Sequence, residues 1–366
     1  MQTDTSLQNA AATGTKPLLH GRTRAEIAEW CRTARHPSYR ADQLWKWLYV
    51  QRAADWPEMT NLPGPLRRQL DQTFSMQSGV PLRVRGRSGQ TRKILVGLAD
   101  GETVEEVLIP APRRRTVCVS SQVGCRFRCA FCASGQAGFR RNLAAGEIVG
   151  QILLAARVTE RPLTHVVFMG IGEPLDNYDA VLRAVRIAND RDGLGIGARR
   201  ITISTCGLVP GIERLAAEGL QVELSVSLHA ARNELRSRLM PVNRRYPLEG
   251  LLAACRAYAE KTRRIVTFEY TLIRGVNDSA AHARPLAERL SDLPCRVNLI
   301  PLSPVAEYEG RPAAPGAATR FIEILLRAGI HATLRASKGT PLRAACGQLR
   351  CATGTGPRAA GDGGTA

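Results

Sequence analysis

Residues 117–132 read VCVSSQVGCRFRCAFC, in which a run rich in β-branched residues leads into three closely spaced cysteines. Cys125, Cys129 and Cys132 are separated by three and by two residues on one predicted loop. Three thiolates at this spacing suit three irons of a [4Fe–4S] cube and leave the fourth iron open to a small molecule. The alternative is a structural zinc site, but such a site needs a fourth ligand and usually combines two separated cysteine pairs. The stretch therefore predicts an iron–sulfur site directly after a strand.

Further apolar runs follow the first one, and helical stretches separate them. They are HVVFMG at 165–170, RITIST at 200–205, VELSVSL at 222–228, IVTFEYTLI at 265–273 and VNLIPL at 297–302. Near-continuous apolar strands that alternate with helices are typical of a parallel sheet covered by helices, either open or closed into a barrel. In such folds the chemistry lies at the C-terminal ends of the strands, so the residues just past each run are the candidates for a site.

The chain upstream of residue 113 has a different pattern. Residues 21–76 have apolar residues at helical spacing and contain all four tryptophans, which we interpret as the core of a small helical domain, with a base-stacking platform as the alternative. Residues 77–112 alternate with period two around glycine turns, which predicts a short antiparallel β extension. We expect a disordered lead over 1–20, a barrel core over 113–351 and a disordered Gly-rich tail over 352–366.

The chain is strongly basic, with 51 Lys and Arg against 32 Asp and Glu and a formal net charge of +19. A field of this sign concentrates polyanions and indicates a nucleic-acid partner, although an arginine-rich genome with a solvated basic surface gives the same composition. No apolar run reaches the ~18 residues of a membrane span, and the N-terminus lacks the apolar centre of a signal peptide. We therefore expect a cytoplasmic protein, where reduced thiols serve metal binding and catalysis rather than disulfides.

Several motifs, in order, resemble those of a known family. The cysteine spacing and the Gly172-Glu173-Pro174 stretch after the second run are similar to motifs of the radical S-adenosylmethionine (SAM) superfamily. STCG at 204–207, SLHA at 227–230, NLIP at 298–301 and AACGQL at 344–349 narrow the resemblance to the RlmN/Cfr family of RNA adenine methyltransferases. HPSYRADQLWKWLY at 36–49 extends it into the helical domain, so that it covers roughly residues 22–351.

The resemblance implies a fold and a set of binding residues. The fold is α/β, a partial (β/α)6 radical SAM barrel with an N-terminal helical RNA-binding accessory domain and the antiparallel β segment. Cys125, Cys129 and Cys132 would hold the [4Fe–4S] cluster. The implied SAM contacts are Gly172, Glu173, Ser204, Ser227, Leu228, His229 and Ser303.

The resemblance also implies a reaction. The C2 carbon of adenine is electron-poor and cannot take a methyl group as an ordinary nucleophile, so a radical route is needed. In the family scheme one SAM methylates Cys346, a second SAM yields the radical that activates this methyl group, Cys118 resolves the adduct as a disulfide and Glu105 accepts a proton. Arg343 and Arg350 would favour the Cys346 thiolate.

The implied substrates are adenosine 2503 of 23S rRNA and adenosine 37 of tRNA, the implied electron donor is of flavodoxin or ferredoxin type, and we expect a monomer. C8 methylation of the same rRNA adenosine uses the same motifs and stays open. Further alternatives are a radical SAM paralogue acting on another RNA, a radical SAM enzyme acting on a small molecule, and a non-catalytic metal-containing RNA-binding module.

The sequence departs from the family pattern at three places near the predicted site. Ser303 stands where the family usually has asparagine, and a hydroxyl offers one hydrogen-bonding group instead of an amide's two. Lys338-Gly339-Thr340-Pro341 replaces a run that is commonly acidic. Cys351 lies five residues after Cys346 and is a competitor for its disulfide or an unrelated thiol.

Overall fold

A computed structural model describes residues 16–159, 161–335 and 342–351 of the chain. The expected tail over 352–366 and the altered run Lys338–Pro341 lie outside the described residues. The expected disordered lead over 1–20 is wrong at its end. Leu18 forms a bridge with Ser75, and Leu19 and His20 are buried in a short 3-10 helix, because this helix packs against the barrel helix over Ala145–Arg157.

Three helices follow, α1 (Arg24–Thr33), α2 (Tyr39–Tyr49) and α3 (Gly64–Thr73). A capping box between Thr23 and Glu26 fixes the start of α1. Trp45 is buried and donates its indole N–H to Asp190 of the barrel at 3.3 Å. The tryptophans are buried or half-buried and pack against the core, which favours their interpretation as core residues over a base-stacking platform.

An antiparallel segment leads from these helices to the barrel. Strands β1 (Val80–Arg85), β2 (Arg92–Gly97) and β3 (Thr103–Ala111) form a meander, and β3 pairs antiparallel with β4 (Arg114–Cys118). The predicted antiparallel strands are therefore present, and they continue the same sheet as the barrel.

The rest of the sheet is parallel and has the order β4-β7-β8-β9-β10-β11-β12. These strands are β7 (His165–Phe168), β8 (Ile201–Thr205), β9 (Glu223–Ser227), β10 (Val266–Leu272), β11 (Cys295–Pro301) and β12 (His331–Leu334). A separate pair, β5 (Gln122–Gly124) and β6 (Phe139–Asn142), flanks the cysteine loop. The helices are α4 (Ala133–Gln136), α5 (Ala145–Arg157), α6 (Tyr178–Asn189), α7 (Val209–Ala217), α8 (Asn233–Leu239), α9 (Leu248–Thr262), α10 (Ala280–Leu290) and α11 (Pro315–Arg327).

The α/β fold class and the partial barrel of parallel strands covered by helices are confirmed. All seven residues of β10 are buried, as expected for a central strand covered on both faces. The seventh parallel strand, β12, was not predicted, because its four residues are mostly exposed and give no apolar signal. Within the described ranges, no helix is both long and apolar enough to cross a membrane. The parallel strands point their C-terminal ends at one opening, where the candidate site lies.

Candidate functional site

The three-cysteine loop begins where β5 ends. Gly124 has a φ of +76°, and a Cβ there would overlap the carbonyl oxygen of Gly138, so this tight turn requires glycine. Cys132 donates its backbone N–H to Cys129 at 3.1 Å, which closes the loop before α4. Burial raises the pKa of Cys125 to about 12 and that of Cys129 well above its ordinary value, so these two thiols bind as thiolates when the positive charge of a metal compensates.

The loop forms one wall of a cavity that opens among the C-terminal ends of the parallel strands. Phe127, Phe131 and Phe168 supply apolar lining beside the cysteines. The cavity brings together predicted residues from several strand ends: Cys125, Cys129, Cys132, Gly172, Glu173, Ser204, Ser227, His229, Ser303 and Cys346. Residues that lie far apart in sequence therefore share one site.

Gly172 and Glu173 lie between β7 and a 3-10 helix over Pro174–Asn177. Glu173 is buried, and its two carboxylate oxygens accept the backbone N–H groups of Leu175 at 3.0 Å and Cys206 at 2.7 Å. Burial raises the pKa of Glu173. The carboxylate is thus held rigidly on the cavity wall, where it can accept from an ammonium group.

His229 is the second residue after the end of β9 and has a φ of +58°. Its Nδ1 accepts the backbone N–H of Thr271 at 2.8 Å, and burial lowers the pKa of the imidazole to about 3. The ring is therefore neutral and carries its proton on Nε2, as a donor on the cavity wall. Leu228 is different, because its side chain is buried away from the cavity and its backbone N–H donates to Glu269 at 3.0 Å.

Arg236 joins these strand ends, although the sequence analysis did not identify it. The side chain is fully buried and donates to the carbonyl oxygens of Cys206 at 2.8 Å, Ser227 at 3.0 Å and Leu228 at 3.2 Å. Its fourth hydrogen bond goes to Asn243. Because one rigid guanidinium spans the ends of β8 and β9, it fixes the two strand ends relative to each other.

Cys346 lies in the segment 342–351, which crosses the opening of the barrel and is held against the cysteine loop. Ala133 donates its backbone N–H to Gly347 at 2.8 Å, and the Ser134 hydroxyl donates to the Leu349 carbonyl at 2.7 Å. At the end of the segment, Gly124 donates to the Cys351 sulfur at 3.1 Å. The segment therefore presents Cys346 beside the three predicted cluster cysteines.

A second cavity adjoins the first, and Cys118 and Cys346 both line it. Burial raises the pKa of Cys118 to about 12, with a further contribution from Cys346. Cys346 is exposed and lines the open cavity. Desolvation by the surrounding protein raises the pKa of its thiol, and the positive charge of Arg335 acts in the opposite direction. The two cysteines that the resemblance pairs thus border one space.

Arg335 and Glu269 belong to this site and were missed. Arg335 lines both cavities and lies 3.3 Å from Glu269, which also accepts from Ser225 and Asn298 at 3.0 Å each. The sequence analysis assigned the cation near Cys346 to Arg343 and Arg350. In the structure the Arg350 side chain pairs with Glu307 instead. Arg335 follows the short edge strand β12 and Glu269 lies inside the buried strand β10. Neither local sequence indicates that the two side chains form an ion pair.

Glu105 is not part of the described lining of either cavity. One of its carboxylate oxygens lies 2.7 Å from the Lys93 ammonium, and the other accepts the backbone N–H of Arg350 at 2.9 Å. Glu105 therefore binds the C-terminal end of the segment that carries Cys346, at Arg350, and does not bind the cysteine itself.

The residues present fit an iron–sulfur cluster. Three free thiols from one loop open into one cavity with aromatic shielding. In the described part of the chain, no three His, Cys, Asp or Glu side chains converge closely enough to hold a single metal ion. This donor set suits a cluster with an open iron better than the zinc alternative.

Comparisons with known proteins agree with the site. The family model of the radical SAM superfamily matches residues 119–284, and that of the ribosomal RNA large subunit methyltransferase N-terminal domain matches residues 18–76. A probable dual-specificity RNA methyltransferase RlmN from Moorella thermoacetica is 49% identical over 92% of this chain and 97% of its own. A relative with the same name from Geobacillus thermodenitrificans is 45% identical over 91% and 93%.

A solved structure is similar over nearly the same range. The crystal structure of a radical SAM methyltransferase from Sphaerobacter thermophilus is 49% identical, with a TM-score of 0.89 over 91% of this chain and 99% of that one. The chain belongs to the RlmN family of radical SAM RNA methyltransferases, which are enzymes that use a [4Fe–4S] cluster and SAM.

Proposed function

We propose that this enzyme methylates C2 of adenosine 2503 in 23S rRNA and of adenosine 37 in tRNA, and that it consumes two SAM molecules per methyl group. The observation that carries the proposal is the position of Cys346 on the wall of the cavity that holds the predicted cluster ligands. A cysteine in that position is placed to act as a reactant rather than as a ligand. The dual specificity named for the relatives supports both substrates.

The target carbon explains the need for this site. C2 of adenine lies between two ring nitrogens and is too electron-poor for polar methyl transfer, and when bound, the cluster and SAM supply radical chemistry instead. Since C2 is on the Watson–Crick side of the base, the adenosine must be unstacked before it enters the site.

Cys346 is proposed to carry the methyl group, and Cys118 to release the product by forming a disulfide with Cys346. The shared lining of the second cavity supports this pairing, because both thiols border one space. Arg335 is proposed to orient Cys346 from the same wall, with Glu269 holding the guanidinium in place.

Glu105 is proposed as the proton acceptor. Its hydrogen bond to the Arg350 backbone couples the carboxylate to the Cys346 segment, so a shift of that segment would also move the acid. We propose that SAM binds to the residues on the cavity wall, which are Gly172, Glu173, Ser204, Ser227, His229 and Ser303. The side chain of Leu228 is buried outside this wall and is proposed only to pack behind it, without contacting SAM.

Further parts of the proposal concern partners and organisation. We assign RNA binding to the helical domain over 21–76 and the chemistry to the barrel over 113–351, with the β extension over 77–112 between them. The enzyme works as a monomer in the cytoplasm, where its RNA substrates are, and receives electrons from a flavodoxin- or ferredoxin-type protein.

The decisive experiment uses the anaerobically reconstituted enzyme with 23S rRNA, SAM and a reductant, followed by mass spectrometry of the nucleosides. We expect 2-methyladenosine, with one S-adenosylhomocysteine and one 5′-deoxyadenosine formed for each methyl group. Cys346→Ala must abolish the product, whereas Cys295→Ala, at the start of β11 and outside the described cavity lining, must keep it. Finding 8-methyladenosine instead would overturn the C2 assignment, and product formation by Cys346→Ala would overturn the role of that cysteine.

A further inference from the structure

The first two strands of the sheet form a projecting arm, which we define as residues 80–97 and call the hairpin arm. Every residue from 81 to 90 is exposed, including the edge strand β1. Three arginines, Arg83, Arg85 and Arg87, lie on this exposed stretch, and none forms an ion pair with a described residue. The charges of these three arginines are open to solvent and available to an anionic partner.

The acidic residues near the arm are occupied by other cations. Asp100 pairs with Arg141, Glu102 with Arg140, and Glu105 with Lys93. A fourth acid, Glu106, is fully buried and has no described hydrogen-bond partner. Of the arm's cations, Lys93 is paired in this way, whereas the charges of Arg83, Arg85 and Arg87 are not neutralised by the described part of the protein.

A second group of cations borders the arm. Arg113 lies at the turn between β3 and β4, Arg114 begins β4, and neither forms an ion pair with a described residue. A cleft between the arm and the end of α5 is lined by Arg115 and Arg161 together with Arg92 of the arm itself. Arg92 and Arg115 donate to the backbone carbonyls of Val158 at 2.8 Å and Pro162 at 2.6 Å. These bonds fix the side chains but leave their charges uncompensated.

The strand register connects the arm to the site. Arg85 is the cross-strand partner of Lys93, Lys93 of Val107, and Val107 of Cys118. Partners in one row share a face of the sheet, and adjacent strands lie about 4.8 Å apart, so the Arg85 backbone is roughly 14 Å from that of Cys118. Arg85, and Arg83 two residues before it, thus lie on the face of the sheet that lines the second cavity.

The arm also contacts the segment that carries Cys346. A Cβ on Gly86 would lie 3.1 Å from Leu342 Cδ1, and the Lys93 ammonium donates to the Arg343 carbonyl at 3.0 Å. Leu342 precedes Cys346 by only four residues. A molecule bound along the arm therefore lies beside the segment that carries Cys346, with Cys118 three strands away on the same face of the sheet.

We propose that the hairpin arm is a docking surface for the phosphate backbone of the RNA substrate, next to the target base. Arg83, Arg85 and Arg87 bind phosphates along the arm, and the exposed side chain of Leu82, with an exposed fraction of 57%, offers an apolar contact to a ribose or an unstacked base. This role rests on the proposed function and adds a second RNA contact to the one assigned to the helical domain.

The test compares the triple variant Arg83→Gln/Arg85→Gln/Arg87→Gln with the matched control Lys261→Gln/Arg284→Gln/Arg327→Gln. The control residues are exposed on α9, α10 and α11, form no ion pair with described residues, and remove the same charge. Binding of an rRNA fragment that contains the target adenosine is measured by fluorescence anisotropy over a range of KCl concentrations, with reconstituted holoenzyme. Thermal unfolding and SAM binding check that each variant is folded.

The arm variant should bind the fragment at least tenfold more weakly than the control at moderate salt. The slope of log K against log[KCl] should decrease by about 2, because each single-strand phosphate contact contributes roughly 0.7. Equal affinities and slopes for the two variants refute the docking surface. Retained RNA affinity with slower cluster reduction assigns the arm to an acidic electron-transfer protein and also refutes it. If the wild-type enzyme forms no methyladenosine, the proposed function fails, whatever the arm binds.

Discussion

Replacing Gly172 with alanine tests how the SAM-binding wall is built. Gly172 has a φ of +104°, and an added Cβ would lie 2.6 Å from Gln122 Cβ and 2.8 Å from the Gln122 backbone nitrogen. Backbone strain at positive φ costs about 1–2 kcal/mol, and displacing packed neighbours costs about 1–3 kcal/mol. We expect the free energy of unfolding to fall by roughly 2–5 kcal/mol.

The same substitution should weaken SAM binding. The Gln122 side-chain carbonyl accepts the backbone N–H of Glu173 at 2.8 Å, so moving Gln122 moves the residue whose carboxylate faces the cavity. A loss of about 1.4 kcal/mol in binding corresponds to a tenfold weaker affinity. We expect at least this loss.

Gly275→Ala is the matched control, because Gly275 has a φ of +69° but no atom within 4 Å of the added Cβ. Gly275→Ala therefore introduces backbone strain but no steric overlap, and it should lower the free energy of unfolding by about 1–2 kcal/mol. For 366 residues, 1 kcal/mol lowers the melting temperature by about 1–2 °C. Both proteins are compared by thermal unfolding and by calorimetric SAM binding under anaerobic conditions. If Gly172→Ala has the same melting temperature as Gly275→Ala and binds SAM with the affinity of the wild-type enzyme, the steric reasoning is wrong.

Two further outcomes follow from individual contacts. Cys351→Ser should reduce methylation less than threefold, because Cys351 accepts one hydrogen bond from Gly124 and a hydroxyl can replace it; a Cys346–Cys351 disulfide found by peptide mass spectrometry during turnover would contradict this. His20 and His229 are buried with pKa values lowered to about 3, below their unfolded value, so each contributes stability that is present above pH 6.5 and is lost as the pH falls towards 3. Chemical unfolding at pH 7 and pH 5 should show a loss of about 2 kcal/mol per histidine, and His20→Phe should remove its share; an unchanged difference in that variant argues against a neutral buried His20.

The sequence predicted the parallel strands well, because each buried strand is a run of β-branched residues bounded by turns. β10 is the clearest case, since its seven buried residues lie inside the predicted run at 265–273. The sequence did not predict β12, because this strand is stabilised by pairing with β11 rather than by an apolar composition of its own. The prediction of disorder was wrong for Leu19 and His20 for a similar reason, since these side chains become buried only by packing against the barrel.

Predicted site residues differ in how far the structure unites them. The cluster cysteines, Glu173, His229 and Cys346 line one cavity, as expected for residues at strand ends. Glu105 and Leu228 lie outside the described lining, because Glu105 is on the antiparallel strand β3 with its carboxylate bound to Lys93 and the Arg350 backbone, and the Leu228 side chain is buried in the hydrophobic core.

The sequence by itself determined the local chemistry: the spacing of Cys125, Cys129 and Cys132, the glycine-rich turns and the apolar periodicity of the strands. These signals act between near neighbours, so they can be read along the chain. Only the tertiary structure placed Arg335 with Glu269, brought Cys118 and Cys346 to one cavity, and aligned Arg85 with Cys118 across four strands. Those relations depend on strand register and barrel curvature, which are fixed by packing between residues far apart in the chain.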